Sequence, residues 1–230
     1  MSQGKKYELT TNTIMAFGRK LFQIRAAVSF GDVESGDAGG FVASEDCLSH
    51  DGNAWVYGDA WVSGDARVSG DARVSGNARV SGNARVSGDA RVYGDARVYG
   101  DAWVYGDARV YGDARVSGDA RVYGDAWVSG NAWVSGYAWV SGYALVSGYA
   151  RVSGDTDIAW FSGVGSENGT LTAMRDKDGG VFITRGCFGG SLDEFESAVA
   201  ESHGASKIGR EYGLLVQLIR LRMSDERNEP

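Results

Sequence analysis

The sequence predicts a mainly β protein built around a β-solenoid. Residues 52–155 repeat a six-residue unit without insertion or deletion, with Gly at every sixth position from Gly52 to Gly154. Within each unit, Ala-Arg-Val-Ser alternates small apolar, polar, apolar and polar, which is the period-2 pattern of a strand. Each Gly-Asp or Gly-Asn pair supplies turn chemistry. Short strands and tight turns therefore alternate along this whole stretch.

Two architectures fit the alternation: an antiparallel meander with two-residue hairpins, and a solenoid that turns in the same direction at every Gly-Asp corner. A meander would place every Ala and Val on one face of a long sheet, and the other 126 residues are too few to cover that face. A solenoid turns these side chains inward onto each other and needs only its two ends covered. The solenoid is therefore favoured.

The spacing of the repeat, with an aliphatic residue followed four positions later by a small one as in Val56 and Ala60, resembles the hexapeptide repeat of left-handed parallel β-helix proteins. The resemblance implies a single-stranded left-handed parallel β-helix, a triangular solenoid with 18 residues per coil, over residues 52–158. Gly here follows the aliphatic residue by two positions rather than one, which leaves the corner conformation open. At ~4.8 Å between neighbouring strands, the shaft is roughly 27 Å long.

The flanking segments predict one cap at each end. In residues 1–51, the region 5–30 contains two short strands, and 25–51 forms an irregular first coil that covers the open edge of the solenoid. Residues 159–230 predict a small α+β domain. It contains a hairpin with strands at 171–175 and 181–184, a helix that begins at the capping box Ser191–Glu194 and ends at Gly204, and a last helix over about 206–223.

Composition narrows the classes of partner. The net charge is −7, and the repeat carries 10 Arg against 11 Asp, so it lacks the basic face that duplex nucleic acid requires. No apolar run approaches the ~20 residues of a membrane span, and charged residues interrupt any signal peptide. Cys47 and Cys187 are too few for a disulfide framework and are expected to be buried, reduced thiols. We therefore expect a cytoplasmic protein that does not associate with a membrane and has no metal or cofactor site.

Catalysis is not expected. Many hexapeptide-repeat proteins are acyltransferases, and the resemblance would then imply a catalytic His near the coils and a loop that shapes the acyl-donor site. Only His50 and His203 exist, and residues 52–155 contain no loop. His203 is expected at a helix C-terminus, where a cationic ring is favoured. Cys187 could act as a thiol nucleophile but is expected to be structural, so no catalytic residue is predicted.

The outward positions after each Ala carry Arg or Trp, with one Leu. Residues 18 apart share a face on this fold, so Arg stacks on Arg along all three faces. The corner Asp residues, nearly equal in number, are expected to offset this repulsion; an Arg ladder that grips phosphates is the alternative. The three predicted faces carry Trp55, Arg73, Arg91, Arg109, Trp127 and Leu145; Trp61, Arg79, Arg97, Arg115, Trp133 and Arg151; and Arg67, Arg85, Trp103, Arg121 and Trp139.

Aromatic residues cluster late in the shaft, and Tyr93, Tyr99 and Tyr105 form a similar ring at mid-shaft. The late cluster, with Arg151, is the predicted binding site. It could be covered by the C-terminal domain or by another subunit, it could stack on nucleobases, or it could reflect drift after recent duplication. The cluster, called the aromatic collar below, consists of Trp127, Trp133, Tyr137, Trp139, Tyr143 and Tyr149.

The last helix carries a wider apolar face than a small cap needs. We therefore expect a homo-oligomer, a dimer or a trimer, that uses Tyr212, Leu215, Val216, Leu218, Ile219 and Leu221. The layout also resembles phage and prophage hexapeptide-repeat proteins with a short C-terminal cap, through Gly186-Cys187-Phe188 and residues 191–195.

The expected function is a non-enzymatic, rigid scaffold that binds a protein partner. In a phage setting that partner would be a host defence component in the host cytoplasm. The first alternative is a sequestering binder of an anionic nucleotide through Arg, Trp and Tyr. An acyltransferase is the disfavoured third.

Overall fold

The computed structural model describes residues 5–224 and begins with a three-stranded N-terminal cap. Strands β1 (Tyr7–Ala16) and β2 (Arg19–Ala26) form an antiparallel hairpin, and β3 (Ala38–Val42) pairs antiparallel with β2. A short 3₁₀ turn, Glu45–Cys47, follows. The two predicted N-terminal strands are confirmed as a hairpin.

The shaft consists of seventeen two-residue strands in three parallel sheets. Each strand pairs with those 18 residues away, as Arg91 does with Arg73 and Arg109. The predicted mainly β solenoid with 18-residue spacing is therefore confirmed. Face 1 contains β4 (Trp55–Val56), β7 (Arg73–Val74), β10 (Arg91–Val92), β13 (Arg109–Val110), β16 (Trp127–Val128) and β19 (Leu145–Val146).

Face 2 and face 3 continue the same three-strand cycle, and β3 joins face 2 through parallel pairing with its first strand. Face 2 contains β5 (Trp61–Val62), β8 (Arg79–Val80), β11 (Arg97–Val98), β14 (Arg115–Val116), β17 (Trp133–Val134) and β20 (Arg151–Val152). Face 3 contains β6 (Arg67–Val68), β9 (Arg85–Val86), β12 (Trp103–Val104), β15 (Arg121–Val122) and β18 (Trp139–Val140).

Each corner is a tight turn that needs glycine. At one corner the Ala72 N–H donates to the carbonyl of Ser69 at 3.4 Å, and Gly70 between them has φ +68°. A positive φ at the first central residue matches a type II′ turn, which selects Gly there. Glycines also stack from coil to coil, since a Cβ on Gly70 would lie 2.9 Å from the Gly88 nitrogen. Inside the corners, every Val and Ala of the repeat is at most 1% exposed.

The N-terminal cap closes the first coil with apolar side chains and one lysine. Tyr7, Ile24 and Leu48 are buried against Trp55 of the first coil. The Lys6 ammonium donates to the carbonyl oxygens of Gly52 at 3.2 Å and Ala54 at 2.9 Å. Because no coil precedes this corner, Lys6 supplies donors that the repeat cannot provide there.

The C-terminal region is a four-stranded antiparallel sheet with two helices. Its strands follow the order β21 (Ile158–Val164), β22 (Gly169–Arg175), β23 (Val181–Arg185) and β24 (Phe188–Ser191). Helices α1 (Leu192–His203) and α2 (Lys207–Arg222) follow. The capping box is confirmed: the Ser191 hydroxyl accepts from the Glu194 N–H, and the Glu194 carboxylate accepts from the Ser191 N–H. The predicted hairpin and both predicted helices are also confirmed.

This sheet has two apolar faces because its strands alternate. Ile158 and Met174 point toward the shaft and belong to the shaft core, while Leu171, Ala173 and Ile183 pack with the helices. The sheet therefore closes the last coil on one side and carries the two helices on the other.

Polar side chains of the cap and of the last repeat unit bond the last strands of the shaft. The Leu145 N–H donates to the Thr172 hydroxyl at 3.1 Å, and the Thr184 hydroxyl donates to the Leu145 carbonyl at 3.0 Å. The Trp139 N–H donates to the Asp155 carboxylate at 3.1 Å. These contacts occupy backbone groups that an open sheet edge would offer to another strand.

Candidate functional site

The aromatic collar stays open to solvent. The exposed fraction of its side chains runs from 38% at Trp133 to 76% at Tyr137. The C-terminal sheet covers the end of the shaft, and its β21–β22 hairpin borders face 1, but most of the collar stays uncovered. Of the explanations that the sequence left open, packing beneath the chain's own C-terminal domain is therefore not what the structure shows.

Each collar tryptophan lies beneath an arginine of its own face. Arg109 lies over Trp127 at 4.8 Å from the ring centroid, Arg115 over Trp133 at 4.7 Å, and Arg121 over Trp139 at 5.2 Å. Cation–π contacts at exposed sites contribute about 0.5–1 kcal/mol each. They restrain the three tryptophan rings of the collar.

The corner Asp residues, which were expected to offset the repulsion between stacked arginines, form no ion pairs with them in the part of the chain that the structure describes. Within residues 5–224, the ion pair that involves a shaft arginine joins Arg73 to Asp32 of the N-terminal cap at 2.7 Å. Several shaft arginines lie over a tryptophan of their own face, as Arg85 does over Trp103 at 4.9 Å from the ring centroid. Corner groups instead bond each other where Asn replaces Asp, as when the Asn77 amide donates to Asp95 at 3.1 Å.

Arg151, which was predicted to bind a partner, is held by the shaft. Its Nη1 donates to the carbonyl oxygens of Asn131 at 3.0 Å and Ala150 at 2.9 Å. The guanidinium also lies 4.8 Å from the Trp133 ring centroid. Because these contacts fix the guanidinium against the shaft backbone, Arg151 helps to orient the Trp133 ring. It has less freedom to reach a partner than the sequence implied.

A groove of about 700 Å³ runs between face 1 and the β21–β22 hairpin. Trp127 and Tyr143 of the collar form its shaft wall, together with Arg109. Residues 162–163 and 168–170 of the hairpin form the opposite wall. Its size lies within the range of ligand and peptide-side-chain pockets. Sequence reasoning missed the hairpin wall because nothing in the repeat indicates where the C-terminal sheet lies.

Tyrosines on the shaft stack along faces rather than around a ring. Tyr93 and Tyr111 have ring centroids 5.0 Å apart and planes 2° apart, and Tyr105 and Tyr123 are 5.0 Å and 4° apart. The sequence grouped Tyr93, Tyr99 and Tyr105 as one lap of a coil. The structure instead links residues 18 apart, because the strand spacing of a parallel sheet brings them to stacking distance.

The residues predicted for oligomerisation divide between core and surface. Tyr212, Val216 and Ile219 are buried in the C-terminal core, and Leu215 packs against it. These four therefore stabilise the chain's own domain. Leu218 and Leu221 are exposed, and so is Leu214, which the prediction omitted. The three exposed leucines are spaced four and three residues apart, so they share one side of α2.

Histidines and cysteines lie in the caps. His203 ends α1, as predicted, and its ring leans on Tyr212 at 5.9 Å. His50 stacks on Tyr7 at 4.4 Å, and its Nδ1 accepts from the Lys6 N–H. Cys47 is buried as expected, but Cys187 is exposed because it lies in the tight turn between β23 and β24.

Among residues 5–224, no group of three or more His, Cys, Asp or Glu side chains is arranged to hold a metal ion. No helix within the same range is long and apolar enough to span a bilayer.

The fold and its repeat define a β-solenoid repeat protein. Residues 66–130 match the family model described as YdcK Beta solenoid repeat, in six overlapping stretches: 66–80, 78–92, 90–106, 102–116, 108–124 and 114–130. The chain is thus similar to that family over the middle of its shaft, and neither cap is part of the match. Among curated proteins, no match to the sequence was found.

Proposed function

We propose that the protein is a non-enzymatic, rigid β-solenoid scaffold that binds a protein partner through its aromatic collar. The observation that carries this proposal is the exposure of six large aromatic side chains on about one coil, beside the hairpin groove. Aromatic residues are enriched in the energetically important centres of protein interfaces. An ordinary solvated shaft needs none of them, because the same positions carry Arg, Asp or Asn in other coils.

The repeat itself supplies the variants that test this proposal. Tyr137→Asn, Tyr143→Asn and Tyr149→Asn place the corner residue of neighbouring coils at these sites, so the shaft should fold unchanged. Tyr99→Ser, which makes the same kind of replacement at mid-shaft, is the matched control. Affinity capture from the native host, followed by mass spectrometry and binding with purified components, should identify a partner that the triple variant binds at least about tenfold more weakly.

A partner that binds the triple variant and the wild type equally would refute the collar as the site. Loss of binding in the Tyr99→Ser control would also count against it, since that residue lies outside the collar. The resemblance to phage proteins makes a host defence component in the host cytoplasm the first class of partner to examine. The unpaired thiols of Cys47 and Cys187 fit a reducing compartment.

We extend this proposal to a homo-oligomer, a dimer or a trimer, formed through α2. The exposed stripe of Leu214, Leu218 and Leu221 supports it, because burying such side chains stabilises association. Light scattering after size exclusion should show a dimer or trimer for the wild type and a monomer for the variant Leu214→Gln/Leu221→Gln. Arg210→Gln, on an exposed position of the same helix, is the control. A monomeric wild type would refute the oligomer but not the collar.

We propose no catalytic role for the shaft. An acyltransferase of this architecture would need a histidine beside the coils, and the chain has none between residues 51 and 202.

A further inference from the structure

A row of aromatic rings on face 1 is interrupted by one serine. The residues that follow the strands at successive coils are Tyr57, Ser75, Tyr93 and Tyr111. Tyr93 and Tyr111 already stack, with centroids 5.0 Å apart. Ser75 therefore leaves a vacant level, one ring thick, between Tyr57 and Tyr93.

A groove of about 460 Å³ opens at this vacant level, and it is called the tyrosine slot below. Two strand spacings of ~4.8 Å separate the levels of its two tyrosines. A planar ring at the level of Ser75 would then lie about 5 Å from each tyrosine, a distance at which aromatic rings attract. The slot is lined by Asp32, Tyr57, Arg73, Ser75, Arg91, Tyr93 and Arg109.

The charges around the tyrosine slot are asymmetric. At one end Asp32 pairs with Arg73 at 2.7 Å, and its other oxygen accepts from the Tyr57 hydroxyl at 3.4 Å. Arg91, one coil further along, is exposed and has no ion pair in the part of the chain that the structure describes. Arg109 follows one coil later. The ion pair neutralises the Asp32 end, so an anion is attracted toward the two arginines at the other end.

We propose that the tyrosine slot binds a nucleoside diphosphate. Its base stacks between Tyr57 and Tyr93 above Ser75, and its phosphates extend along face 1 to Arg91 and Arg109. The charges determine the direction in which the phosphates extend. The coil spacing determines their number, since the two arginines lie about 5 and 10 Å beyond the base. Guanidinium groups are suited to phosphate because they donate in a planar fork.

None of the six collar residues lines the tyrosine slot, and Arg109 is the residue that the slot shares with the groove beside the collar, so this inference goes beyond the scaffold function. Either can fail without the other. The predicted ladder of arginines contributes two phosphate ligands here rather than a uniform phosphate-binding surface, because the missing ring at Ser75 lies one coil before Arg91, which has no ion pair in the part of the chain that the structure describes.

Calorimetric titration of the full-length protein with ADP, AMP, adenosine and inorganic pyrophosphate tests the slot. ADP should bind most tightly, because it alone supplies both the base and two phosphates. Ser75→Tyr fills the vacant level with the residue found at other coils and should abolish binding. Ser81→Tyr, the same replacement on face 2, is the control and should leave binding unchanged.

Two further variants separate stacking from charge. Tyr93→Ser, another residue of the repeat, should weaken ADP binding by about tenfold or more. Arg91→Leu should weaken ADP but leave adenosine unchanged, and Leu145 shows that the repeat accepts leucine at this position. The proposal is overturned if ADP does not bind, if Ser75→Tyr binds it as the wild type does, or if pyrophosphate binds as tightly as ADP. Binding of a short oligonucleotide without binding of ADP would also overturn it.

Discussion

Alanine in place of corner glycines should separate the two reasons for glycine in this fold. Gly58 and Gly82 occupy equivalent corners with φ +60° and +70°. A Cβ on Gly82 would lie 2.9 Å from the Gly100 nitrogen and 3.0 Å from its oxygen, whereas a Cβ on Gly58 would come no closer than 3.9 Å to the next coil. The two substitutions therefore impose the same backbone strain, but only one forces two coils apart.

The magnitudes follow from these contacts. A left-handed conformation costs a residue with a Cβ about 1–2 kcal/mol, and the lower entropy of the unfolded chain returns about 0.4–1 kcal/mol. Gly58→Ala should thus reduce the free energy of unfolding by about 1 kcal/mol. Gly82→Ala should add the ~1–3 kcal/mol of an overpacked site, because the atoms that it meets are backbone of the next coil and cannot rotate away.

Equilibrium unfolding in guanidinium chloride, followed by circular dichroism, measures both free energies. Gly82→Ala should be the less stable variant by about 1–3 kcal/mol. If both variants lose the same free energy of unfolding, close stacking of corner glycines does not constrain this shaft. Glycine would then recur at every corner because of the turn conformation alone.

Two other predictions concern the ends of the shaft. The double variant Thr172→Val/Thr184→Val should lose about 1–3 kcal/mol of free energy of unfolding for each backbone group of Leu145 left without a partner. It should also associate end to end through the uncovered strand. Unchanged thermal unfolding and unchanged sedimentation would contradict this. Burial lowers the pKa of Lys6 from its ordinary 10.5 to about 8, so between these values the unfolded chain holds more protons and stability rises with pH. As the pH rises, the free energy of unfolding of the wild type should therefore increase relative to that of Lys6→Met by up to about 1.4 kcal/mol per pH unit. If the two proteins differ in free energy of unfolding by the same amount at about pH 7 and about pH 9.5, this reasoning is refuted.

The repeat determined the shaft almost completely, because each coil contacts only its neighbours. An uninterrupted spacing of six residues fixes which side chains face inward, and three such units per coil fix the register at 18 residues. The capping box at Ser191 was equally readable, since its two reciprocal hydrogen bonds are local in sequence. Both predictions depend on interactions between residues that are close in sequence, so the residue pattern alone reveals them.

The sites were less predictable because they depend on how the caps meet the shaft. Asp32 reaches Arg73 across 41 residues, and nothing in the irregular N-terminal segment indicates that contact. The sequence likewise does not indicate that the β21–β22 hairpin forms a wall of the groove beside Trp127. Sequence alone also placed Tyr212 and Ile219 on an interface, because helical periodicity identifies an apolar side without indicating whether the chain itself covers it.

The positions that vary between coils also decide which experiments are informative. Ser and Tyr exchange after the strands, Arg and Trp exchange on them, and Asp, Asn and Tyr exchange at corners, whereas Ala, Val and Gly stay constant. The constant residues, apart from Gly154, are buried or have a positive φ, so substituting them changes stability. The exchanging residues face outward, and each alternative is already accommodated by another coil. Swapping one for another at the collar or the tyrosine slot therefore changes recognition at nearly constant stability, which separates a loss of function from a loss of fold.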